Sequence, residues 1–381
     1  MSSAYLNLDL TEQELQDRKA RWDARGRFEE PDRVPVLLGI GTRYWLPILG
    51  LGFEQYFSSP EVMFEAQVKA LRWIFRNVTD DRYAIAVSPD FQNVREASGL
   101  GCPVRFVEGF PWARRIPVKD ESDLQKLQRR DMYRQGLTGK IAPFYRTMKK
   151  LAEGLRVRLT DGSATSLTVN IGMGTDGPFT NCAWVVGAER LLSDVRRRPR
   201  FVHSLMDIVT EKIIGLNQRL REDADLPEDC GMGVADDFAA FLSPDQYREF
   251  ALPYHDRIYD SFGTKLRDMH LCGKIDHLLG LLVDEQRIHS LSGFGSVSDP
   301  KGMAKIMGRK VLLHGGPSPS LILSGPRHEV VKASKSYIEL LGPLRGYALG
   351  DGYNIAPGTP VDHMNALMES SLLYGRYPMA G

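Results

Sequence analysis

Asp268-Met269-His270-Leu271-Cys272-Gly273 is the stretch on which the reading of this chain turns. A strand-length run, 265–269, ends there in a His-x-Cys pair, and a helical stretch, 275–283, follows the glycine. On extended backbone an i, i+2 pair lies on one face, and imidazole and thiolate are ligands that zinc prefers. A strand ending in chemically competent side chains and then a helix is one unit of an alternating α/β fold.

The same unit recurs in both directions along the chain. Short apolar runs fall at 34–38, 83–87, 167–171, 232–235, 265–269, 287–291, 310–313 and 346–349. Helical stretches lie between them, at 188–196, 200–220, 244–262, 300–307 and 329–341 among others, with a last helix from about Pro360 to Leu373. Runs this apolar and β-branched suit strands buried on both faces. Eight such units predict a closed (β/α)8 TIM barrel, with an open doubly wound sheet as the runner-up. Thr11-Glu12-Gln13-Glu14 is a capping box that opens a polar helix to about Arg25. The expected organisation is an N-terminal helical extension over 1–30 and a barrel over 31–381. A long helical insertion after strand two, about 91–164, is rich in arginine and lysine. A solvated face is the plain account of those bases; a docking face for an acidic partner is the sharper one.

Composition narrows the function. The chain has 381 residues, 25% of them charged, and a formal net charge of only +1, so neither nucleic acid nor a membrane surface is the expected partner. No apolar run approaches the ~18 residues of a membrane span, and Met1 to Asp9 lacks the layout of a signal peptide. Cys102, Cys182, Cys230 and Cys272 lie far apart, which predicts thiols, a cytoplasmic location and a Cys272 available as a ligand.

Barrel active sites collect at the C-terminal ends of the strands, so the residues there are the candidates. They are Thr42, Arg43, Tyr44 and Trp45 after strand one, and Ser88 and Asp90, with Phe91, after strand two. Gly172 to Gly177, including Gly174, follow strand three, and Asp236-Asp237 strand four. His270 and Cys272 follow strand five, His314 strand seven, and Asp351, between two glycines, strand eight. A lone His-x-Cys pair is weak, because buried cysteines and satisfied histidines are common. Acids at other strand ends strengthen a metal reading, with Asp351, Asp237 or Glu249 as the oxygen donor. Gly172–Gly177 formally fits a dinucleotide fingerprint, but Pro178 is expected to break the helix start, so a backbone loop close to a ligand suits these glycines better. Gly315-Gly316-Pro317-Ser318 reads as a tight turn before it reads as a phosphate cradle.

Several stretches carry a family resemblance: Pro31-Asp32-Arg33-Val34-Pro35; Gly177-Pro178-Phe179-Thr180; Asp236-Asp237 with Leu242-Ser243-Pro244 and Leu252-Pro253-Tyr254; His270-Leu271-Cys272-Gly273; Leu313-His314-Gly315-Gly316; and Leu349-Gly350-Asp351-Gly352. In this order, from about Pro31 to the C-terminus, the chain resembles the uroporphyrinogen decarboxylase superfamily, a (β/α)8 family that includes zinc- and corrinoid-dependent methyltransferases. True decarboxylases hold the porphyrinogen carboxylates with an arginine-rich loop after strand one; here that loop keeps only Arg43 and gains Tyr44 and Trp45. His270 and Cys272 match the His-x-Cys of the methyltransferase branch, which often adds a cysteine where this chain has Asp351.

The resemblance implies a corrinoid-dependent methyltransferase acting on a methyl ether such as a methoxylated aromatic, an O-demethylase. Zinc on His270, Cys272 and Asp351 would coordinate the ether oxygen, and the cobalt of a separate corrinoid protein would take the methyl group. Arg43, Tyr44, Trp45, Phe91, Gly174 and Phe179 form the expected substrate- and cofactor-facing set, with rings stacking on the substrate. His314, Asp90 and Asp237 are the expected catalytic groups. A homodimer is left open. The alternatives are a methyltransferase from methyl-corrinoid to a thiol or folate, a uroporphyrinogen-type decarboxylase, and a non-catalytic tetrapyrrole-binding module.

Overall fold

The computed structural model describes residues 4–263, 266–294 and 297–379. Its centre is a sheet of six parallel strands: Gly174–Asp176, Met232–Ala235, Arg267–His270, Ser290–Phe294, Leu312–Gly315 and Tyr347–Leu349. On the far side the eighth strand meets residues 34–38. Leu37 N–H donates to Leu349 O (3.0 Å), and Leu349 N–H donates to Pro35 O (2.9 Å). Ala86–Val87 pairs in parallel with Thr168–Val169, and Asp81 N–H reaches Val36 O at 2.7 Å. The circle is therefore closed, and the fold is a (β/α)8 barrel.

Serine or aspartate followed by proline starts many of the surrounding helices. Ser59, Ser243, Asp299 and Ser318 each accept a backbone N–H of the first turn ahead of Pro60, Pro244, Pro300 and Pro319. Proline has no N–H to lose there, and its fixed φ suits a first helical residue. The Thr11 capping box forms as expected and opens the helix Glu12–Gly26. That helix lies across the barrel floor. Trp22 Nε1 donates to Asp81 O (2.8 Å), and buried Arg25 reaches Leu313 O in the seventh strand (3.0 Å).

The barrel departs from the expected boundaries where side chains replace the ladder. The run at 83–87 is paired only at Ala86–Val87, and 34–38 makes a single bridge, because Asp80, Asp81 and Arg82 fill the gap between these strands. Strand three is broken at Gly172, whose φ of +73° favours glycine, so its first half serves strand two and its second half strand four. Gly174–Asp176 thus belong to the strand instead of the loop after it. Pro178 does not break a helix; it is the first residue of Pro178–Val186. The stretch 244–262 divides into Pro244–Phe250 and Leu252–Asp260, because Pro253 has no N–H to give the Glu249 carbonyl and its ring crowds that group. Of the expected fifth strand, Lys265 lies outside the described residues.

Strands also appear outside the barrel. Ala4–Asn7 pairs with Leu155–Arg158, which pairs with Ala164–Ser166, tying the N-terminal segment to the insertion. Val104–Val107 and Phe110–Ala113 form a hairpin turned by Glu108 and Gly109, both at positive φ. The helices Glu121–Gln128 and Thr138–Glu153 complete the insertion.

Alternation along each strand decides what faces the barrel axis. In strand five Met269 is wholly buried and Arg267 turns outward to Asp256 and Asp260, so Asp268 and His270 turn inward. Register sets Ala235, His270, Ser292 and His314 side by side across four strands. Small residues in this layer leave room for a cavity of about 420 Å³.

Candidate metal centre

His270 and Cys272 extend from the end of strand five, as the i, i+2 argument requires, and His270 Nε2 lies 3.0 Å from Cys272 Sγ. The acid beside them is Asp237, at the start of the 3-10 turn Asp237–Phe241 that follows strand four. Its Oδ1 is 3.8 Å from His270 Nε2 and accepts the Cys272 N–H at 2.8 Å, which locks the two strand ends together. One ligand atom from each of Asp237, His270 and Cys272 can be drawn so that all lie within 4.8 Å of one another. His270 Nδ1 sits 3.2 Å from Ser292 Oγ, an outer partner that fixes the ring and leaves Nε2 toward the group. Gly293, at φ +83°, makes this possible: a Cβ there would come within 2.3 Å of the imidazole.

The donor set fits a zinc ion: one imidazole, one sulfur and one carboxylate are three protein ligands of the kind that leave a fourth position open. Burial, reinforced by Asp237, pushes the Cys272 thiol well above its ordinary range. A bound cation reverses both effects, since it pairs with the thiolate and with Asp237.

Asp351 is not in this group. The glycine turn after strand eight folds back onto strand one, and Asp351 Oδ1 accepts Gly39 N–H at 2.6 Å. Its Oδ2 is buried without a hydrogen-bond partner, and burial raises the carboxyl above its usual range. Glu249 is at the surface, paired with His203 at 3.3 Å. The two adjacent acids after strand four have separate tasks. Fully buried Asp236 accepts the N–H groups of Phe179 (3.1 Å) and Thr180 (2.7 Å) and lies 2.7 Å from His255 Nε2, while its neighbour Asp237 faces the metal group. A Cβ at Gly177 would strike Asp236 at 2.3 Å. The glycine and the helix start that mimic a dinucleotide loop therefore serve a carboxylate of the chain itself.

The other expected residues divide sharply. Phe91 and Phe179 are fully buried, and Tyr44 and Trp45 nearly so. Tyr44 Oη donates to Thr359 O, Trp45 packs edge-on to Tyr56, and Phe91 lies against Phe57 and Phe144. These rings are core, because the turn after strand one is itself a helix, Thr42–Ile48, that packs on Pro60–Asn77. Of the four, only Phe91 reaches the wall of the 420 Å³ cavity. Arg43 is exposed, with one bond to Asn93 (3.2 Å). Gly174 lines the cavity. Asp90 lines it too, but its carboxylate is taken up by Thr42, Tyr56 and Gln92. His314 holds its Nε2 proton on Leu37 O (3.0 Å), and burial lowers its pKa to about 4. At that value the ring is neutral at pH 7, with its Nε2 proton committed to a backbone carbonyl.

Four charged residues of the cavity are not singled out by a reading based on strand ends: Arg95, Glu96, Asp268 and Asp176, the last lying unremarked within Gly172–Gly177. Arg95 Nε pairs with Glu96 at 2.7 Å, and the same guanidinium donates to Gly174 O. Burial, and then the charge of Glu96, raise Asp176 well above the carboxylate range against the pull of Arg95. Burial likewise raises Asp268, opposed by a hydrogen bond from Ser290. Asp268 was within reach of alternation alone, standing two residues before His270. Beyond the metal group, Cys272 borders a second cavity of about 510 Å³ with Lys274, His277 and Phe241. The donors thus stand between two spaces, His270 on one and Cys272 on the other.

Comparison with known proteins agrees with this architecture. The model of the uroporphyrinogen decarboxylase (URO-D) family matches residues 23–371. Proteins named uroporphyrinogen decarboxylase are similar at low identity. One from Aromatoleum aromaticum is 24% identical over 76% of this chain and 78% of the relative; one from Xanthomonas campestris pv. campestris is 26% identical over 90% and 95%. The solved structure of a methyltransferase from Methanosarcina mazei superposes with a TM-score of 0.69 at 19% identity, over 94% of this chain and 98% of that one. Among the described residues no helix is long and apolar enough to cross a membrane. With a matched span from the floor helix to the last helix, the chain belongs to the uroporphyrinogen decarboxylase family.

Proposed function

We propose that this protein is a zinc-dependent methyltransferase, an O-demethylase that moves the methyl group of a methoxylated aromatic to the corrinoid of a separate protein. The observation that carries this reading is the Asp237–His270–Cys272 donor group between two cavities. A transfer from a small ring to a corrinoid protein needs a separate approach to the reacting centre for each. A decarboxylase of a tetrapyrrole with eight carboxylates needs several cations instead. The 420 Å³ cavity offers Arg95 alone, already paired with Glu96, and three further acids, Asp90, Asp176 and Asp268. Its size suits a single substituted ring.

His270, Cys272 and Asp237 would hold the zinc, with Ser292 orienting the imidazole. A zinc ion there would supply Lewis acidity toward an ether oxygen, making a phenolate the better leaving group. Phe91 and Ile171 give the cavity an apolar wall for the ring. Burial and the charge of Glu96 push the Asp176 carboxyl toward its protonated form, and in this proposal it is the cavity acid that gives a proton to the departing oxygen. Neutral His314 and the hydrogen-bonded Asp90 are better fitted to shaping the layer around it.

The test is zinc analysis of purified protein with His270→Ala and Cys272→Ala, followed by incubation with cob(I)alamin and a panel of methoxybenzoates. One zinc per chain, lost in both variants, and methylcobalamin formed only by the parent is the expected result. A properly folded parent without zinc, or turnover that survives Cys272→Ala, sinks the reading. Methyl transfer from methylcobalamin to a thiol, with no ether cleavage, would point to the opposite half-reaction.

A further inference from the structure

A cavity of about 820 Å³ lies apart from the candidate metal group. It lies between the tail of the hairpin strand Phe110–Ala113 and the junction of the helices Pro178–Val186 and Ala188–Arg197. None of Asp237, His270 and Cys272 borders it. Its walls include Trp112, Trp184, Arg114, Arg115, Lys119 and Arg190, and no aspartate or glutamate.

The two tryptophans meet edge to face, with centroids 5.2 Å apart and planes at 78°. That arrangement leaves ring surface open, and Trp112 is 55% exposed, a large apolar side chain facing solvent on a hairpin. The cations differ in what they are used for. Arg190 is committed to Asp194 (3.2 Å) and Val118 O (2.7 Å). Arg114 and Arg115 have no carboxylate or side-chain hydrogen-bond partner among the described residues. Gly187, at φ +95°, keeps space for Arg115: a Cβ there would stand 3.2 Å from its Nη1.

We propose that this cleft binds a small planar anion, an aromatic ring carrying a phosphate, sulfonate or carboxylate. Each half of that ligand answers one feature of the wall. The ring covers the open tryptophan faces, and the anion pairs with Arg114 and Arg115 in the forked geometry that guanidinium favours. A cationic or neutral ring leaves both arginines unpaired, and a bare anion leaves the tryptophans wet. The cleft's volume lies within the range of small-molecule pockets. This site is independent of the proposed methyl transfer and stands or falls separately from it.

The probe is 1-naphthyl phosphate, titrated into the full-length protein by calorimetry and by quenching of tryptophan fluorescence. Inorganic phosphate and 1-naphthylmethylamine serve as the ringless and the cationic comparisons. The naphthyl phosphate is expected to bind about tenfold or more tightly than either, as stacking plus a charged pair implies. Trp112→Ala and Arg115→Glu, both at exposed positions that leave the fold intact, are each expected to weaken it about tenfold, and His270→Ala to leave it unchanged. Equal binding of inorganic phosphate, undiminished binding in both cleft variants, or loss of binding in His270→Ala overturns the proposal.

Discussion

The two sides of the barrel are built differently. From the second half of strand three to strand eight the sheet is a continuous parallel ladder, and its register brings His270, Ser292 and His314 into one layer. Across strands one and two the ladder is thin, and side chains do the joining. Asp81 accepts Arg21, Arg33 and the Val36 N–H at 2.7–2.8 Å, and Asp80 holds Arg82. All three residues of the candidate donor group stand on the regular side, while the rings expected to face the substrate, Tyr44 and Trp45, stand on the other and are core. Where backbone pairing fixes register, a strand end tells which way a side chain points. Where side chains fix it, the sequence position alone does not.

Three experiments strain this contrast. Asp81→Asn leaves buried Arg33 without a carboxylate and Arg21 with Asp32 alone, which is expected to lower stability by about 3–5 kcal/mol in urea unfolding, with bound zinc per folded chain unchanged. A loss of zinc in step with stability would mean that the irregular side shapes the metal group after all.

A second measurement concerns His314, which bridges the two sides through Leu37 O. Its folded pKa, about 4, lies below the unfolded 6.5, so the unfolded chain takes up the proton first on acidification. Its contribution to stability is therefore full above about pH 6.5 and falls away between there and pH 4, by about 3 kcal/mol. Urea unfolding of the parent against His314→Gln over that range checks it; identical slopes would deny His314 this role.

The smallest effect distinguishes two acids, Asp237 inside the regular side and Asp351 at its edge against strand one. Asp237→Asn keeps the acceptor for Cys272 N–H but removes the charge, and is expected to weaken zinc binding tenfold to a hundredfold in competition with a chromophoric chelator. Asp351→Asn is expected to leave it unchanged. The reverse order would restore Asp351 as the ligand.

The alternation of short strands and helices made the barrel legible, and the His-x-Cys spacing pointed to two residues of the candidate donor group. Asp237 and Asp351 were both in view, yet choosing between them needed the fold of the glycine turn onto Gly39, a contact across 312 positions that no local pattern encodes. Asp176 was hidden for a related reason: a strand broken at Gly172 looked like a loop. Arg95 and Glu96 lie in the helical turn after strand two, where a charged pair beside Val94 and Ala97 gives no hint that it faces a cavity.

The tie from Gly39 to Asp351 also sets a clock. At roughly 5–20 residues per second of synthesis, strand one is made roughly 15–60 s before the turn that holds it. For all of that time its backbone has no eighth strand to pair with, and Arg25 has no Leu313 to reach. The helices and strands between can settle as they emerge, but closure of the circle waits for the eighth strand.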